Sequence, residues 1–183
     1  MEQQTVLKTQ RLLLRPFSPD DADDVTRLAN DRDIAANTRN IPYPYMKPVA
    51  ERWIADLSER YRNGTEVTFA ITHIQEHYLI GAISLMLKPV DERAELGYWI
   101  GRPYWNNGYA TEAARVVVQF GFEELRLNRI YAQHLKRNPA SGRILQKIGM
   151  KYEGCLRQHI KKWGAFEDIM YYGILKSEFE ATD

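Results

Sequence analysis

Apolar positions along this chain alternate between two spacings, and each switch marks an element. Leu12-Leu13-Leu14, flanked by Arg11 and Arg15 and stopped by Pro16, predicts an opening strand. Ser18 then offers a helix cap with Pro19 at the first helical position, and the short acidic helix that follows carries Val25 and Leu28 on one face. From Asp31 to Lys47 no period is visible. Pro42, Pro44 and two tyrosines predict irregular chain there, equally readable as a functional loop or an ordinary connector. Val49, Trp53, Ile54 and Leu57 return to helical spacing, which places a second helix over Pro48–Arg62, ended by Asn63-Gly64. Three segments of strand character follow, Val67–His73, Tyr78–Leu87 and Ala94–Ile100, with turns that predict an antiparallel meander. An Ala- and Val-rich helix over 109–125 leads to a strand at Arg129–Leu135. Next comes a helix from Asn138 to Ile148, with Asn138 as cap, Pro139 at its start and Gly149 at its end. Two last strands, about Lys151–Lys161 and Phe166–Lys176, face each other across Trp163-Gly164.

This order is that of a mixed α/β chain rather than a regularly alternating one. With 183 residues, 44% hydrophobic and 27% charged, residues 1–183 are expected to form a single domain with a sizeable core. A net charge of +1 gives no global field to recruit nucleic acid or an anionic membrane. The single cysteine, Cys155, has no intramolecular partner, and no Cys/His cluster suggests a metal. Met-Glu-Gln-Gln-Thr lacks the blocks of a signal peptide, and no apolar run approaches bilayer length, so a reduced cytoplasmic setting is expected.

The stretch from Ala94 to Leu125 carries the first chemical signal. Tyr98, Trp99 and Ile100 favour a strand, and Gly101, Arg102 and Pro103 stop it. Asn106, Asn107 and Gly108 then permit the backbone angles of a tight turn into a helix. Such a turn aims several backbone N–H groups at one spot, which suits phosphate or pyrophosphate. It has neither the Lys-Ser/Thr ending of a P-loop nor the three-glycine dinucleotide spacing, and a single glycine at such a junction is by itself weak. A second capped helix downstream strengthens it. Two neighbouring strands that each feed a helix can splay and open a slot for a ligand.

Ala94–Ala114 and Asn138–Met150 together resemble the two acyl-CoA-binding motifs of the GNAT superfamily of N-acetyltransferases. The opening Thr9-Gln10-Arg11-Leu12-Leu13-Leu14-Arg15-Pro16 and the closing strands resemble the RimJ/RimL-like branch, the ribosomal-protein alanine N-acetyltransferases. The likeness covers nearly the whole chain. It implies a GNAT-like fold: a mixed, mostly antiparallel sheet splayed between two central strands, with helices on both faces. In that family the pyrophosphate loop runs Gln/Arg-x-x-Gly-x-Gly/Ala. Trp105-Asn106-Asn107-Gly108-Tyr109-Ala110 stands in its place, with Trp105 departing from the usual Gln or Arg and Thr111 completing the cradle. A loop that works through backbone amides loses little by that departure. Asn138 matches the residue whose amide bonds the pantetheine arm. The tyrosine that serves many relatives as general acid is replaced by Leu145, and Ser141, one turn away on the same helix face, is the candidate to protonate the coenzyme A thiolate. A thiol of pKa ~8.5 leaves readily enough that simple hydrogen bonding to sulfur is the other reading of Ser141; a plain helix-surface serine is the third.

Acetyl transfer to an amine also needs a base and an oxyanion site. The resemblance puts the oxyanion donors among the backbone N–H groups of Trp99, Ile100 and Gly101, near a distorted strand end. Strand alternation sets Glu95, Gly97 and Trp99 on one face and Leu96, Tyr98 and Ile100 on the other. A charge inside a central strand is costly unless paired or wet, so Glu95 is either a base in the cleft, direct or through water, or a salt-bridged or sheet-edge charge. Asp168 is a weaker rival base. His73 and His77, His134 and His159, Cys155 and the basic run Arg157, His159, Lys161 and Lys162 carry structural readings first. Arg137 and Arg143 are within sequence reach of the nucleotide phosphates; Trp53, Tyr43 and Tyr45 either line the acceptor pocket or pack.

The expected activity is acetyl-CoA-dependent N-acetyl transfer, with no metal, to a protein N-terminal α-amine. A small-molecule amine (amino acid, antibiotic or toxic analogue) is the alternative acceptor. A silent acyl-CoA-binding module is the rival of another class. The chain is expected to act as a monomer or homodimer, with no direct nucleic-acid or membrane partner.

Overall fold

The computed structural model describes residues 4–180. Within them eight strands form one sheet: β1 (Leu7–Lys8), β2 (Leu12–Arg15), β3 (Glu66–His73), β4 (Leu79–Lys88), β5 (Arg93–Ile100), β6 (Arg129–Leu135), β7 (Lys151–Lys162) and β8 (Ala165–Leu175). Their spatial order is β1-β2-β3-β4-β5-β6-β8-β7. The helices are α1 (Ala22–Ala29), α2 (Arg32–Asn37), α3 (Lys47–Arg62), α4 (Tyr109–Glu123), α5 (Pro139–Lys147) and α6 (Lys176–Glu180). None of the described helices is long and apolar enough to cross a membrane.

Every neighbouring pair is antiparallel except β5 and β6, which run parallel because α4 carries the chain back across the sheet. That parallel pairing is short: Arg93↔Arg129, Ala94↔Ile130 and Glu95↔Tyr131, and no further. Beyond Glu95 each strand stays with its outer neighbour. β5 follows β4 in unbroken register to Ile100, and β6 follows β8 from Arg129 to Leu135. Adjacent strands of a sheet rotate against one another. Two halves that each keep their own twist therefore diverge once the ladder between them stops, leaving a V-shaped gap open toward the C-terminal ends of β5 and β6.

Both faces are covered. On one, Val117, Val118 and Phe120 of α4 and Leu145 of α5 pack on Leu14, Phe69, Leu85, Leu96 and Ile130. On the other, Val25 and Leu28 of α1 and Ile54 of α3 pack on Ala70 and Leu79. Each such side chain, once fully buried, contributes about 1.5–3 kcal/mol of transfer free energy. α1 and α3 also seal the end of β5, where a Cβ on Gly101 would meet Leu28 Cδ2 at 2.7 Å.

The predicted elements appear within a residue or two, and the meander and the splayed pair are as expected. The expectation of irregular chain from Asp31 to Lys47 is corrected. Asp31 accepts from the N–H groups of Asp33 and Ile34 and starts α2, which buries Ile34 and Ala35. A six-residue helix is too short to print a period, so only its cap was visible. β1 and α6 were also unforeseen, and the expected last strand ends at Leu175 where α6 begins. The first helix is preceded by a 3-10 turn at Pro19–Asp21. The strand end near Trp99 shows no register shift against β4; the irregularity lies one strand over, between Ile71 and Thr72 where β3 meets β4.

That neighbouring distortion brings β4 unusually close to β5. A Cβ on Gly81 would sit 2.1 Å from the Trp99 carbonyl oxygen, and backbone cannot move aside as a side-chain tip can. Gly81→Ala is therefore expected to destabilise the chain by about 3 kcal/mol, read as a fall in the urea midpoint.

Candidate active site

The gap between β5 and β6 collects the chemistry. At its far end the chain leaves β5 through a 3-10 turn at Arg102–Tyr104 and enters α4 across Trp105–Gly108. Asn106 (φ 63°) and Gly108 (φ 80°) both take left-handed backbone, which Asn tolerates and Gly adopts without penalty. Glu112 N–H is the first helical donor bonded back to the loop, at 3.1 Å to the Gly108 oxygen. The N–H groups of Tyr109, Ala110 and Thr111 precede it and stand at the positive end of the helix dipole. Two of the loop's carbonyls are tied off. Asn107 oxygen takes Arg11 Nη1 at 3.0 Å, and Trp105 oxygen takes the Asn107 side-chain amide at 3.1 Å. Trp105 fixes the loop by donating Nε1 to Ile100 oxygen at 2.7 Å. The N–H groups of Tyr109, Ala110 and Thr111 are left as free donors at the helix start, an arrangement that suits an anion such as pyrophosphate.

An acidic side chain so near an anion site would repel its ligand unless neutralised. Glu112 is neutralised thoroughly. Its carboxylate accepts from Thr9 Oγ1 at 2.6 Å, Arg11 N–H at 3.0 Å and Arg11 Nε at 2.8 Å, with Arg11 Nη2 at 2.7 Å. Burial alone would push Glu112 up, but the hydrogen bonds from Thr9 and Arg11 and the guanidinium charge together hold it below its ordinary 4.5. The Arg11 guanidinium also lies 4.7 Å from the Tyr109 ring centroid. Thr9, Arg11 and Glu112 thus brace the loop from the first hairpin. Sequence reasoning quoted Thr9 and Arg11 only as part of a resemblance and missed Glu112.

At the end of β5, Gly101 N–H donates to Ile80 oxygen at 2.8 Å. In an antiparallel ladder alternate residues point their N–H groups at the same neighbour. Trp99 N–H therefore also faces β4, whereas the N–H groups of Ile100 and Tyr98 face the gap that β6 has vacated. Of the three expected oxyanion residues, Ile100 has its amide directed at the gap, and Tyr98 joins it.

Glu95 occupies the last paired position, at the closed end of the V. It makes no salt bridge among the described residues. Gln133 Nε2 donates to its Oε1 at 2.6 Å and Tyr131 OH to its Oε2 at 3.4 Å. Both partners come from β6 and were not foreseen. Neutral donors orient the carboxylate without occupying it with a cation. Gly97, the next residue on this face, is covered by Met86 and Ser84, whose Cε and Oγ would meet a Cβ at 3.3 and 3.6 Å, and Trp99 packs against the α1/α3 core.

Ser141 lies on the opposite face. Asn138 caps α5, its Oδ1 accepting from Ser141 N–H at 3.4 Å. That leaves the Asn138 amide nitrogen with no protein acceptor among the described residues. Ser141 Oγ sits 2.8 Å from Tyr98 OH, a contact that joins β5 to α5 beneath the gap. Burial pushes the Tyr98 phenol up to about 12 even though the hydrogen bond with Ser141 works the other way. Leu145, one turn on, is fully buried core. Tyr98 escaped notice as a mere strand former, although a tyrosine on a core face needs a polar partner.

Other candidates resolve into structure. Asp168 accepts Gln158 N–H at 2.9 Å and Lys136 Nζ at 3.1 Å, which hold it below the ordinary carboxylate range and pin the bulge of β7. Tyr45 is buried, Trp53 meets Phe17 edge-on at 4.9 Å, and Tyr43 is exposed. His73 stacks on Tyr78 at 5.1 Å. Arg137 is engaged by protein groups: its Nε pairs with Glu167 at 2.8 Å and its Nη2 donates to Ala36 oxygen at 2.6 Å. Lys162 donates to Thr38 oxygen at 2.8 Å. On the other side Arg102 Nη1 pairs with Asp33 at 2.8 Å. α2 is thereby held at the mouth of the V from both arms.

A splayed mixed sheet, an amide-lined turn at one arm and a capped helix at the other define an acyl-CoA-type transferase. A family model described as an acetyltransferase (GNAT) domain matches residues 11–151. The chain belongs to the GNAT family and is an N-acetyltransferase. It is 31% identical over 176 residues to the uncharacterized N-acetyltransferase p20 of Bacillus licheniformis, covering 94% of this chain and 97% of that one. Over 103 residues, 56% of each chain, it is 38% identical to YdaF of Bacillus subtilis (strain 168), provisionally named a ribosomal N-acetyltransferase. Its fold is also that of RimL, a ribosomal L7/L12 α-N-protein acetyltransferase solved with coenzyme A (TM-score 0.87, 15% identity, covering 93% of this chain and 98% of that one).

The depressed Glu112 makes loop bracing visible in solution. Between its folded value and 4.5 the unfolded chain binds the extra proton, so this contribution to stability is present above 4.5 and is lost as pH falls through the folded value. Urea unfolding from about pH 6 to about pH 3 should therefore cost the wild type more stability than Glu112→Gln, with the two curves converging at the acid end.

Proposed function

We propose that this chain moves an acetyl group from acetyl-CoA directly to a primary amine, and that the acceptor is a protein N-terminal α-amine of the ribosomal-protein type. The observation that carries the reading is the opposition of Glu95 and Ser141. They open on opposite faces of the sheet, and the gap between β5 and β6 is where the two faces communicate. A donor entering from the α4/α5 side and an amine entering from the α1/α3 side would meet there.

Each group then has one task. The amide-lined turn at Asn106, Asn107, Gly108, Tyr109, Ala110 and Thr111 holds pyrophosphate, and the Asn138 amide holds the pantetheine arm. Glu95 takes the proton from the amine, directly or through one water. Backbone N–H groups near Ile100 hold the developing oxyanion. Ser141 gives its hydroxyl proton to the departing sulfur. An α-amine with pKa about 8 surrenders its proton to a weak base more readily than a lysine at about 10.4. The provisional name of YdaF supports the same acceptor class.

Two measurements test this reading. Glu95→Gln should lower kcat by about 10²–10⁴-fold with little change in acetyl-CoA affinity. Ser141→Ala should lower it by about 10–100-fold, the scale of one charge-assisted hydrogen bond. If both variants keep wild-type turnover, the assigned roles are wrong. Thiol release from acetyl-CoA, followed with N-terminal peptides, ribosomal proteins and free small amines in parallel, decides the acceptor. Turnover is expected with the peptides and proteins. Turnover with small amines alone overturns the acceptor class, and none with any amine favours a silent acyl-CoA-binding module.

A further inference from the structure

Tyr98 shares its face of β5 with Leu96 and Ile100, both part of the α4/α5 core. A phenol in such company requires a polar partner. The partner it has is Ser141, twice over: Oγ at 2.8 Å and the carbonyl oxygen at 3.4 Å. A single phenol hydrogen serves one acceptor well. The shorter distance is at the mode for O–H···O bonds and the longer one is beyond it. Between the two hydroxyls the phenol is the more acidic, hence the better donor, and the aliphatic oxygen is the better acceptor. The phenol hydrogen therefore rests on Ser141 Oγ, and the serine's own hydrogen is turned away from Tyr98.

We propose that Tyr98 is a positioning residue that directs the Ser141 hydroxyl hydrogen into the cleft, toward the departing sulfur. The inference rests on the reading of Ser141 as proton donor. As the C–S bond breaks, its electron pair goes to sulfur and sulfur takes the proton from Ser141 Oγ. As that proton leaves, the serine oxygen takes the proton of the more acidic phenol already hydrogen-bonded to it, so the negative charge comes to rest on Tyr98 rather than on an alkoxide. The proton that Glu95 has taken from the amine returns through solvent to Tyr98, so one proton is lost by the amine, one is gained by the thiol, and the chain is unchanged. The phenol is released from its role as soon as that proton is restored, since burial favours its neutral form. Placement completes the arrangement: Ser141 N–H is bonded to the Asn138 cap, which holds the backbone, and Oγ is held by Tyr98, which leaves rotation of the hydroxyl hydrogen.

A double-mutant cycle separates this role from simple packing. Tyr98→Phe should lower kcat by about 5–10-fold, the scale of one neutral hydrogen bond, with KM for acetyl-CoA and the melting temperature nearly unchanged. In a Ser141→Ala background the same substitution should have no further effect on kcat. Penalties that multiply in the double variant overturn the proposal, as does wild-type kcat in Tyr98→Phe beside an impaired Ser141→Ala. Wild-type kcat in Ser141→Ala overturns the reading of Ser141 itself, and this inference with it. If Tyr98→Phe does not fold, ring-fluorinated tyrosine placed at position 98 retains the shape while changing donor strength. A shift in kcat that Ser141→Ala abolishes supports the role, and an unchanged kcat overturns it.

Discussion

Everything at this site depends on a sheet that stops being a sheet. Three residues of parallel pairing join β5 to β6, and the ladder then ends at Glu95 and Tyr131. Backbone N–H groups that would have bonded across it are released toward the gap. Side chains that would have been sealed on opposite faces come within reach of a common volume. A sheet normally separates its two faces; here the missing half-ladder connects them. Glu95 at the closed end and Ser141 under the open part lie on opposite faces, and only that connection turns them toward a common volume.

The anion site uses a different economy of means. It is built from peptide groups whose direction is set by two left-handed residues, Asn106 and Gly108, and by donors that occupy the wrong-facing carbonyls. Arg11 serves three parts of this arrangement at once: it holds the Asn107 carbonyl, cancels the Glu112 charge and covers Tyr109. A positive side chain near a phosphate site invites the assumption that it binds phosphate. Here its charge is matched by a carboxylate at 2.7 Å, and the N-terminal end of α4 adds the partial positive charge of its dipole.

Much of this was legible in the sequence because it rests on local rules. Caps, turns and strand alternation placed α4, α5 and β5 and set Glu95 on the face opposite Tyr98. The family resemblance supplied roles for Asn138 and Ser141 that no spacing could give. What stayed hidden is long-range or short-lived in sequence. Gln133 meets Glu95 from 38 residues away, and Glu112 meets Arg11 from 101 away. No local pattern announces such a pair. α2 failed for the opposite reason, since six residues cannot display a helical period. Asp168 looked like a base by residue type, and only its bond to Gln158 N–H reveals a structural duty.

The bonds from Arg137 and Lys162 to the carbonyls at the end of α2 have a consequence for traffic. The arms of the V are joined by pairing at the closed end and laced together across the mouth by these cations and by Arg102. A body fastened at both ends does not swing open like a pair of jaws. A slot tied at both ends and open on both faces is one that an extended ligand would occupy by lying along it.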